Sequence, residues 1–190
     1  MYAGRFNVGW IFFKNDQEAK KCLSQWKRQC SEWCKDQPED GKFADQMYLN
    51  SWPDDFKNVR IIDHPGANLA PWNLNTHKLT LNQSSLDADG EKIIFYHFHM
   101  LRQFNQNHVS TSLGIYKVPK ELRKQVVNSL YLPHLKKLGV MESKLRNQGF
   151  GFSCFNSHRD YSNAKKLHIR ENNEALGFED GELIPFKTTS

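Results

Sequence analysis

The sequence predicts an α/β fold, with a mixed sheet and flanking helices followed by a helical extension. Short runs of apolar, β-branched and aromatic residues alternate with segments of helical periodicity, which is typical of this class. Of the 190 residues, 38% are apolar, and 13 Phe, 5 Trp and 6 Tyr provide material for a core. No apolar run approaches the roughly 18 residues that span a bilayer, and no signal peptide is visible. We therefore expect a cytoplasmic protein.

The beginning of the chain predicts a strand followed by a long helix. Residues 8–13 form a short apolar run rich in β-branched and aromatic side chains, which indicates a buried strand. Asn15, with Glu18 three residues later, predicts the capping box of a helix over about 16–35. The apolar positions of this helix recur at helical spacing, and they are Ala19, Leu23, Trp26, Cys30 and Trp33.

The middle of the chain predicts short elements separated by turns. A short helix is expected at 43–49 and a strand at 59–63, before a loop at 64–75 that is rich in Pro, Gly and Asn. Residues 79–81 and 93–99 predict two strands around a turn. Because the predicted strands are few and the first begins almost at residue 6, we expect the second half of a larger α/β domain.

A basic segment ends the predicted globular part. Between Lys117 and Arg146, eight Lys and Arg face two acidic residues, although the net charge of the chain is only +5. Pro119 predicts the first turn of a helix to about residue 138, and Pro133 predicts a kink in it. Such a basic helix is either a solvated face or a contact for phosphates or anionic lipid. Nucleic acid is not expected, because no aromatic residues are interleaved with the basic ones.

The four cysteines leave three alternatives open. Cys22, Cys30 and Cys34 lie near one face of the predicted helix, and Cys154 is remote in sequence. The spacing does not match the close pairs of zinc sites, so small buried apolar side chains are the favoured interpretation, ahead of a metal site or a disulfide.

Three groups of polar residues are candidates for binding a ligand or for catalysis. Asn7 and Gly9 open the first predicted strand, where the amide either stabilises a turn or hydrogen-bonds a ligand, and the glycine either permits close approach or is simply small. Asp45 and Gln46 place a carboxylate beside an amide. That carboxylate either favours a helix N-terminus or stabilises positive charge at an anomeric carbon.

Histidines form the third group. His97 and His99 would share one face of a strand, which suits a metal ion or phosphate, with a buried structural histidine as the alternative. Arg102 follows closely, and His64 is a rival ligand in its own loop. The D-x-D pattern of Asp87 and Asp89 follows no apolar strand and precedes a glycine, so it indicates a surface turn rather than a metal site.

In their order along residues 4 to 104, four stretches resemble the C-terminal half of GT-A-type nucleotide-sugar glycosyltransferases, in particular those of bacterial surface-polysaccharide synthesis. The stretches are Phe6-Asn7-Val8-Gly9, Asp45-Gln46 before Leu49-Asn50, His64-Pro65-Gly66-Ala67-Asn68-Leu69-Ala70-Pro71-Trp72-Asn73, and Phe95 to Arg102. In that family a D-x-D motif lies upstream of the Phe-Asn strand. The resemblance therefore implies that the nucleotide-binding half is missing from this chain.

The resemblance also implies roles for individual residues. Asp45 and Gln46 would be catalytic, and Asn7 and Gly9 would lie under the sugar. Asn68 and Trp72 would shape the acceptor side, and Arg102 would contact the leaving phosphate. His97 would bind Mn²⁺ (or Mg²⁺), with His99 and His64 as alternates.

The predicted organisation follows from this resemblance. Residues 1–115 would form the acceptor- and metal-side half of a GT-A-like domain, 116–146 a basic helical extension and 147–190 a polar tail. The expected partners are a nucleotide-sugar donor, a saccharide or lipid-linked acceptor, the upstream nucleotide-binding half, and the inner membrane face through residues 117–146. The alternative is a non-catalytic remnant that binds carbohydrate or a partner protein.

Overall fold

The protein folds as two compact units, Met1–Asp63 and His64–Ser190. The computed structural model describes residues 4–82, 85–105, 108–151 and 183–184. The described regular structure consists of helices and small antiparallel sheets, which agrees with the predicted α/β class in its general sense. The division between the units falls inside the predicted domain 1–115.

The first unit is built on one long helix, α1 (Gln17–Glu32). Its N-cap is Asp16, whose carboxylate accepts the N–H of Ala19 at 2.9 Å. The predicted N-cap at Asn15 is therefore wrong by one residue. Glu18 consequently occupies the second helical position and not the third position of a capping box. There its negative charge interacts favourably with the positive end of the helix dipole.

The C-terminal end of α1 is closed by hydrogen bonds. The extended C-cap residue Trp33 donates its N–H to the carbonyl of Gln29, and the hydroxyl of Tyr48 donates to the carbonyl of Trp33 at 2.9 Å. The predicted helix at 43–49 begins later, because Ala44 has φ +46°, a left-handed conformation that no helix can include. A 3₁₀ turn (Met47–Ser51) and the short helix α2 (Trp52–Asp55) follow.

The core of the first unit lies between α1 and the segments around it. Cys22, Leu49 and Trp52 are buried there, and the surrounding half-buried side chains are Phe6, Val8, Ile11, Phe13, Trp26, Phe56 and Val59. Leu23 is exposed, because the inward face of α1 runs through Cys22 and Trp26 instead. This corrects the predicted apolar face at one position.

The described cysteines are free thiols in three different environments. Cys22 is buried in the core, Cys30 is half-buried and Cys34 is exposed. Burial raises the pKa of Cys22 to about 11, and burial, followed by the nearby Cys34, raises the pKa of Cys30 to about 11. The interpretation as small buried side chains is right for Cys22 and wrong for Cys34, while Cys154 lies outside the described residues.

The predicted strands at 8–13 and 59–63 are wrong. A turn and a bend occupy residues 8–10, and no strand is formed in either segment. Within the described part of the chain, neither residues 10–13 nor residues 59–63 have a backbone hydrogen-bond partner. A strand exists only as part of a ladder, so apolar alternation alone does not produce one.

The second unit contains two antiparallel three-stranded sheets. The first is formed by β1 (Leu79–Asn82), β2 (Ser85–Ala88) and β3 (Glu91–Lys92). The second is formed by β4 (Arg102–Asn105), β5 (His108–Ser110) and β6 (Leu183–Ile184). The predicted strand at 79–81 is confirmed as β1, which pairs with β2 from Leu79 opposite Ala88 to Asn82 opposite Ser85.

The predicted strand at 93–99 is wrong, because its backbone pairs with the preceding loop instead of a sheet. Ile94 donates its N–H to the carbonyl of Gly66 at 2.8 Å, and His97 donates to the carbonyl of Leu69 at 2.6 Å. Tyr96 and Leu69 form an isolated parallel bridge. The side chains of His97 and His99 are therefore positioned by a loop and not by the alternation of a strand.

The basic segment is helical, as predicted. Helix α3 (Lys120–Val126) continues through a π-helical turn (Val127–Tyr131) into α4 (Leu132–Asn147), past the predicted end near residue 138. The predicted distortion at Pro133 takes the form of this wider turn, because a proline lacks the N–H and its ring crowds the carbonyl four residues earlier. Pro119 is the N-cap of α3. Nearly all of the predicted tail 147–190 lies outside the described residues.

The core of the second unit includes the loop that precedes its first sheet. Leu69, Ala70 and Leu74 of this loop are fully buried. They share the unit's core with the other buried apolar side chains, Leu86, Ala88, Val109, Leu113, Val118, Val126, Val127, Tyr131 and Leu135. Among the described helices, none combines the length and apolar character that crossing a membrane requires.

Candidate functional site

The loop that carries Trp72 is held by the side chain of Asn73. Its amide oxygen accepts the N–H of Ala70 at 2.8 Å, and its amide nitrogen donates to the carbonyl of Asn68 at 3.2 Å. Buried Leu69 and Leu74 anchor the two ends of this turn in the core. Trp72 is therefore presented from a fixed backbone, with its own side chain half-buried.

The two histidines are brought together by a tight turn. His97 is tied to Leu69 by its backbone N–H, and His99 donates its N–H to the carbonyl of His97 at 2.7 Å. As a result, the two imidazole ring centroids lie 5.7 Å apart, with the rings inclined by 71°. The two histidines lie together, as the sequence predicts. A tight turn, and not the predicted strand, brings them together.

Trp72, His97, His99 and Tyr116 form one half-buried group, which we call the aromatic cluster. The indole of Trp72 contacts the ring of His97 at a centroid distance of 5.0 Å and that of His99 at 5.1 Å, both edge to face. Tyr116 lies 5.9 Å from His99 and 6.4 Å from Trp72. Three segments that are distant in sequence thus meet in one aromatic patch.

Burial sets the ionisation of two members of the aromatic cluster. Burial, and secondarily the neighbouring His97, lowers the pKa of His99 below its ordinary value. Burial raises the pKa of Tyr116. The lowered pKa of His99 favours neutral imidazole, which is the form that binds a metal ion or accepts a hydrogen bond.

The separation of the two imidazoles is compatible with both binding one metal ion. Two imidazoles that share one ion, with nitrogen–metal bonds of about 2.1 Å, place their centroids at most roughly 6.6 Å apart. The observed 5.7 Å lies within this span. In the part of the chain that the structure describes, no three His, Cys, Asp or Glu side chains form a metal-binding group. Further ligands would have to come from a phosphate, from water or from another part of the protein.

Two of the predicted site residues in the first unit, Asn7 and Gln46, are in contact. The amide oxygen of Asn7 accepts the N–H of Gly9 at 2.7 Å, which closes a small turn. The amide nitrogen of Asn7 lies 3.5 Å from the amide oxygen of Gln46. Asp45 is half-buried, and its backbone carbonyl accepts the indole N–H of Trp26 at 2.9 Å. The Asp45 carboxylate itself also raises the pKa of the nearby Cys30 thiol, as the third cause after burial and Cys34.

The other predicted site residues lie in separate parts of the second unit. Arg102 is exposed at the start of β4. His64 accepts the N–H of Gly66 on its Nδ1 at 3.0 Å, and its Nε2 lies 3.7 Å from the carboxylate of Glu91. Asn68 adopts a left-handed conformation with φ +58°. His64 thus has one ring nitrogen engaged in shaping its own loop.

The D-x-D residues are engaged with protein partners, and the predicted surface turn is correct for Asp89 but wrong for Asp87, which pairs in a strand. Asp87 is buried in β2 and accepts hydrogen bonds from the side chains of Asn82 and Ser85. Asp89 lies in the following turn, with its carboxylate 2.7 Å from Nδ1 of His77 and accepting the N–H of Lys78 at 2.7 Å.

Sequence reasoning missed two residues of the site. Tyr116 lies on one side of the aromatic cluster, and no spacing pattern links it to the histidines. Asn73 belongs to the loop motif of the resemblance, but no role was predicted for it. An Asn three residues after an alanine in a Pro-containing loop is a turn signal that could have identified it.

The chain is similar to two proteins of Bacillus subtilis (strain 168). It is 40% identical to the uncharacterized protein YfnF over 107 residues, which are 56% of this chain and 35% of YfnF. It is 29% identical to the uncharacterized protein YfnD over 137 residues, which are 71% of this chain and 43% of YfnD. The matches therefore span less than half the length of either relative. No protein-family model and no solved structure matches the chain.

Proposed function

We propose that the protein is part of a GT-A-type glycosyltransferase, which moves a sugar from a nucleotide-sugar donor to a saccharide or lipid-linked acceptor. In this proposal the chain forms the acceptor and metal side of the GT-A domain. The nucleotide-binding part, with its D-x-D motif, would correspond to a region of the relatives that the chain does not match.

The observation that carries the proposal is the contact of Trp72 with both His97 and His99. The resemblance assigns Trp72 to the acceptor side and the histidines to the metal, so the two assignments require these residues to be neighbours. They come from different loops, which the fold brings into contact. The resemblance and the observed contact therefore support the same assignment.

Each residue of the aromatic cluster has a role in this proposal. His97 would hold Mn²⁺ (or Mg²⁺), with His99 as the alternate and His64 as a further one. When bound, the ion neutralises charge on the diphosphate leaving group. Trp72 would pack its indole face against a sugar ring, as aromatic side chains do with apolar ring faces. Arg102 would provide a second cation for the phosphate, since arginine binds phosphate oxygens through paired N–H groups.

The resemblance assigns the remaining roles to residues of the first unit. Asp45 would stabilise positive charge on the reacting sugar, and Gln46 would orient sugar hydroxyls through its amide. Asn7 would support Gln46, because its amide group lies against that of Gln46. Gly9 would complete the turn that fixes Asn7.

The second candidate function is a carbohydrate-binding remnant without catalysis. The half-buried aromatic side chains of Trp72 and Tyr116 favour it, because stacking on a sugar ring needs neither a metal ion nor an acid. The two functions differ in their dependence on the histidines. Sugar binding by a remnant would persist without His97, whereas metal-dependent transfer would not.

Paramagnetic NMR tests the metal assignment on the intact chain. Adding Mn²⁺ with a nucleoside diphosphate should broaden the imidazole resonances of His97 and His99 first. His77 and His134 are matched controls, because His77 is paired with Asp89 and His134 is stacked on Phe98 at 4.0 Å. Equal broadening of all four histidines would remove the assignment.

A transfer assay then separates the enzyme from the remnant. This chain is substituted for the matched region of YfnF, and release of nucleoside diphosphate from nucleotide sugars is followed with Mn²⁺ present. We expect turnover that His97→Ala abolishes. Sugar binding without turnover in a hybrid that melts cooperatively would favour the remnant.

A further inference from the structure

The turn that brings the two histidines together contains a strained backbone position. Met100 follows His99 directly and has a φ of +56°. A residue with a Cβ atom disfavours this left-handed conformation, which glycine adopts readily. Such residues persist where the surrounding structure holds them, and they are frequent at functional sites. The contact that holds Met100 in this conformation therefore bears directly on the position of His99.

The carbonyl of Met100 is held by Ser112. The Ser112 hydroxyl donates to this carbonyl at 3.0 Å. Ser112 is 3% exposed, and its own φ of +59° is again left-handed. Its neighbour Thr111 is fully buried, and the Thr111 carbonyl accepts the hydroxyl of Tyr131 at 3.3 Å. A buried and anchored segment thus supplies the hydroxyl that binds the Met100 carbonyl.

The histidine turn is consequently attached to the core at two points. At its start, the N–H of His97 donates to the carbonyl of buried Leu69 at 2.6 Å. At its end, the Met100 carbonyl accepts the Ser112 hydroxyl. His99 lies between these two attachments. The first fixes the backbone of His97, and the second fixes the carbonyl of the residue that follows His99.

We infer that Ser112 is a positioning residue for the histidine pair. Its hydroxyl keeps Met100 in the left-handed conformation, and this conformation holds the His99 ring 5.7 Å from the His97 ring. The ligand class is a divalent cation bound by both imidazoles, which this separation allows. The inference rests on the proposed function for the role of that cation, whereas the placement of His99 is tested without it.

Nuclear Overhauser effects (NOEs) between ring protons measure the placement of His99 in the absence of metal. In the unchanged chain, the Trp72 indole should give NOEs to both imidazoles, because their centroids lie 5.0 and 5.1 Å away. Ser112→Ala removes the hydroxyl and should eliminate the NOE between Trp72 and His99. The NOE between Trp72 and His97 should remain, since Leu69 still anchors His97. Retention of both NOEs, or loss of both, in the folded variant would overturn the inference.

Two further variants separate positioning from a general structural role. Ser143→Ala is the matched control, because the Ser143 hydroxyl also donates to a carbonyl at 3.0 Å, that of Gly139 in α4. It should leave both NOEs unchanged. Ser112→Gly lacks the hydroxyl but relieves the left-handed strain, so it keeps the measurement possible if Ser112→Ala does not fold. The same selective loss is expected, and a Ser112→Gly chain that retains the His99 NOE would contradict the inference.

Zn²⁺ alone then tests the consequence for cation binding. The imidazole resonances of His97 and His99 should shift together as Zn²⁺ is added to the unchanged chain. In Ser112→Ala the Kd for Zn²⁺ should rise by about tenfold or more, as when groups that orient metal ligands are lost. An equal Kd in the two chains would overturn the positioning role. If the unchanged chain bound no Zn²⁺ at these rings, the metal assignment of the proposed function would fail, and the NOEs would still decide the placement of His99.

Discussion

The backbone N–H of His97 donates to the carbonyl of Leu69 at 2.6 Å, and this bond joins the histidine segment to the loop that carries Trp72. Leu69 is fully buried, so the junction is anchored in the core of the second unit. The contact between the indole and the two imidazoles therefore depends on main-chain pairing below the surface. Substitutions at the aromatic cluster should change its chemistry more than its backbone.

Removing the indole should raise the pKa of His99. Burial is the main cause of the lowered pKa of His99, and Trp72 lies 5.1 Å from its ring, so Trp72→Ala should return the pKa towards its ordinary value of about 6.5. Because a lowered folded-state pKa favours the neutral form, the contribution of His99 to stability is complete above about pH 6.5 and is lost as the pH falls through the folded-state pKa.

An NMR titration of the imidazole resonances measures this shift. His134 is the internal control, because its pKa is also lowered by burial and then by Lys137, while its ring is covered by Phe98. His134 should titrate unchanged in Trp72→Ala. An unshifted His99 in a folded variant would show that the indole does not desolvate it.

Asp45→Asn should separate a catalytic role from a structural one. The structural contact of Asp45 uses its backbone carbonyl, which the substitution keeps, so thermal stability should survive. If the carboxylate stabilises charge on the reacting sugar, single-turnover transfer by the YfnF hybrid should fall by roughly 10²-fold. Donor binding should change far less, because the charge matters mainly in the transition state.

The thiol of Cys30 reports whether the charge has been removed. The carboxylate of Asp45 contributes to its raised pKa, so the pKa of Cys30 should fall somewhat below about 11 in Asp45→Asn. Transfer at the original rate, in a variant that shows this thiol shift, would remove Asp45 from the catalytic site.

Asp89→Asn should reduce the loss of stability that the protein shows as the pH is lowered into the acidic range. Hydrogen bonds from His77 and from the N–H of Lys78 lower the pKa of Asp89 below 3.8. A lowered carboxyl pKa gives a contribution that is present above pH 3.8 and is lost as the pH falls through the folded-state value. Asn tolerates the φ of +52° at this position, so the turn should be kept.

Melting temperatures measured between about pH 5 and pH 2 test this prediction, because ordinary carboxyl groups titrate within this range. The difference between the unchanged chain and the Asp89→Asn variant should be largest at the upper end of this range and should shrink towards the lower end. A constant difference would mean that the ionised form of Asp89 contributes nothing.

Gly66→Ala should destabilise the second unit strongly. A Cβ atom on Gly66 would lie 2.0 Å from the carbonyl oxygen of Lys92, and backbone cannot move aside as a flexible side chain can. We expect a loss of about 3 kcal/mol or more, at or beyond the upper end for overpacked sites. Gly151→Ala is the control, because its Cβ would meet nothing within 4 Å. Denaturant unfolding of both variants gives the comparison, and equal midpoints would contradict the predicted clash.

The basic helices, α3 and α4, should bind anionic membranes if the acceptor is lipid-linked. Lys136 and Lys137 are exposed beside the exposed apolar residues Leu138, Val140 and Met141. Each basic residue near anionic lipid contributes about 1 kcal/mol. Flotation with anionic vesicles should show binding that fades as salt is added, and replacing Lys136 and Lys137 with Glu should weaken it.

The control for vesicle binding is the same double replacement at Lys20 and Lys21 on α1, which are also exposed. It changes the net charge equally but leaves the basic helices intact. Equal binding to neutral and anionic vesicles would refute the electrostatic contact. So would equal losses from the two double replacements.

Local sequence signals located helices better than strands. α1 and the basic helices were predicted because their periodicity and caps are read within one or two turns. The start of α1 differs from the prediction by one residue because Asp16 provides the cap. The separate helix predicted at 43–49 begins later because Ala44 is left-handed. The strands at 8–13, 59–63 and 93–99 were predicted wrongly, because a strand depends on a partner that its own residues do not specify.

The sequence by itself determined which residue types stand beside one another along the chain: the Pro-Trp-Asn loop, the two close histidines, the Asp-Gln pair and the basic helix. These are properties of composition and short-range spacing. Tertiary structure decided that Trp72 and Tyr116 meet the histidines and that Gly66 must be a glycine. It also decided that residues 93–99 follow a loop and not a sheet. These outcomes arise from core burial and main-chain pairing between segments far apart in sequence, which no local pattern encodes.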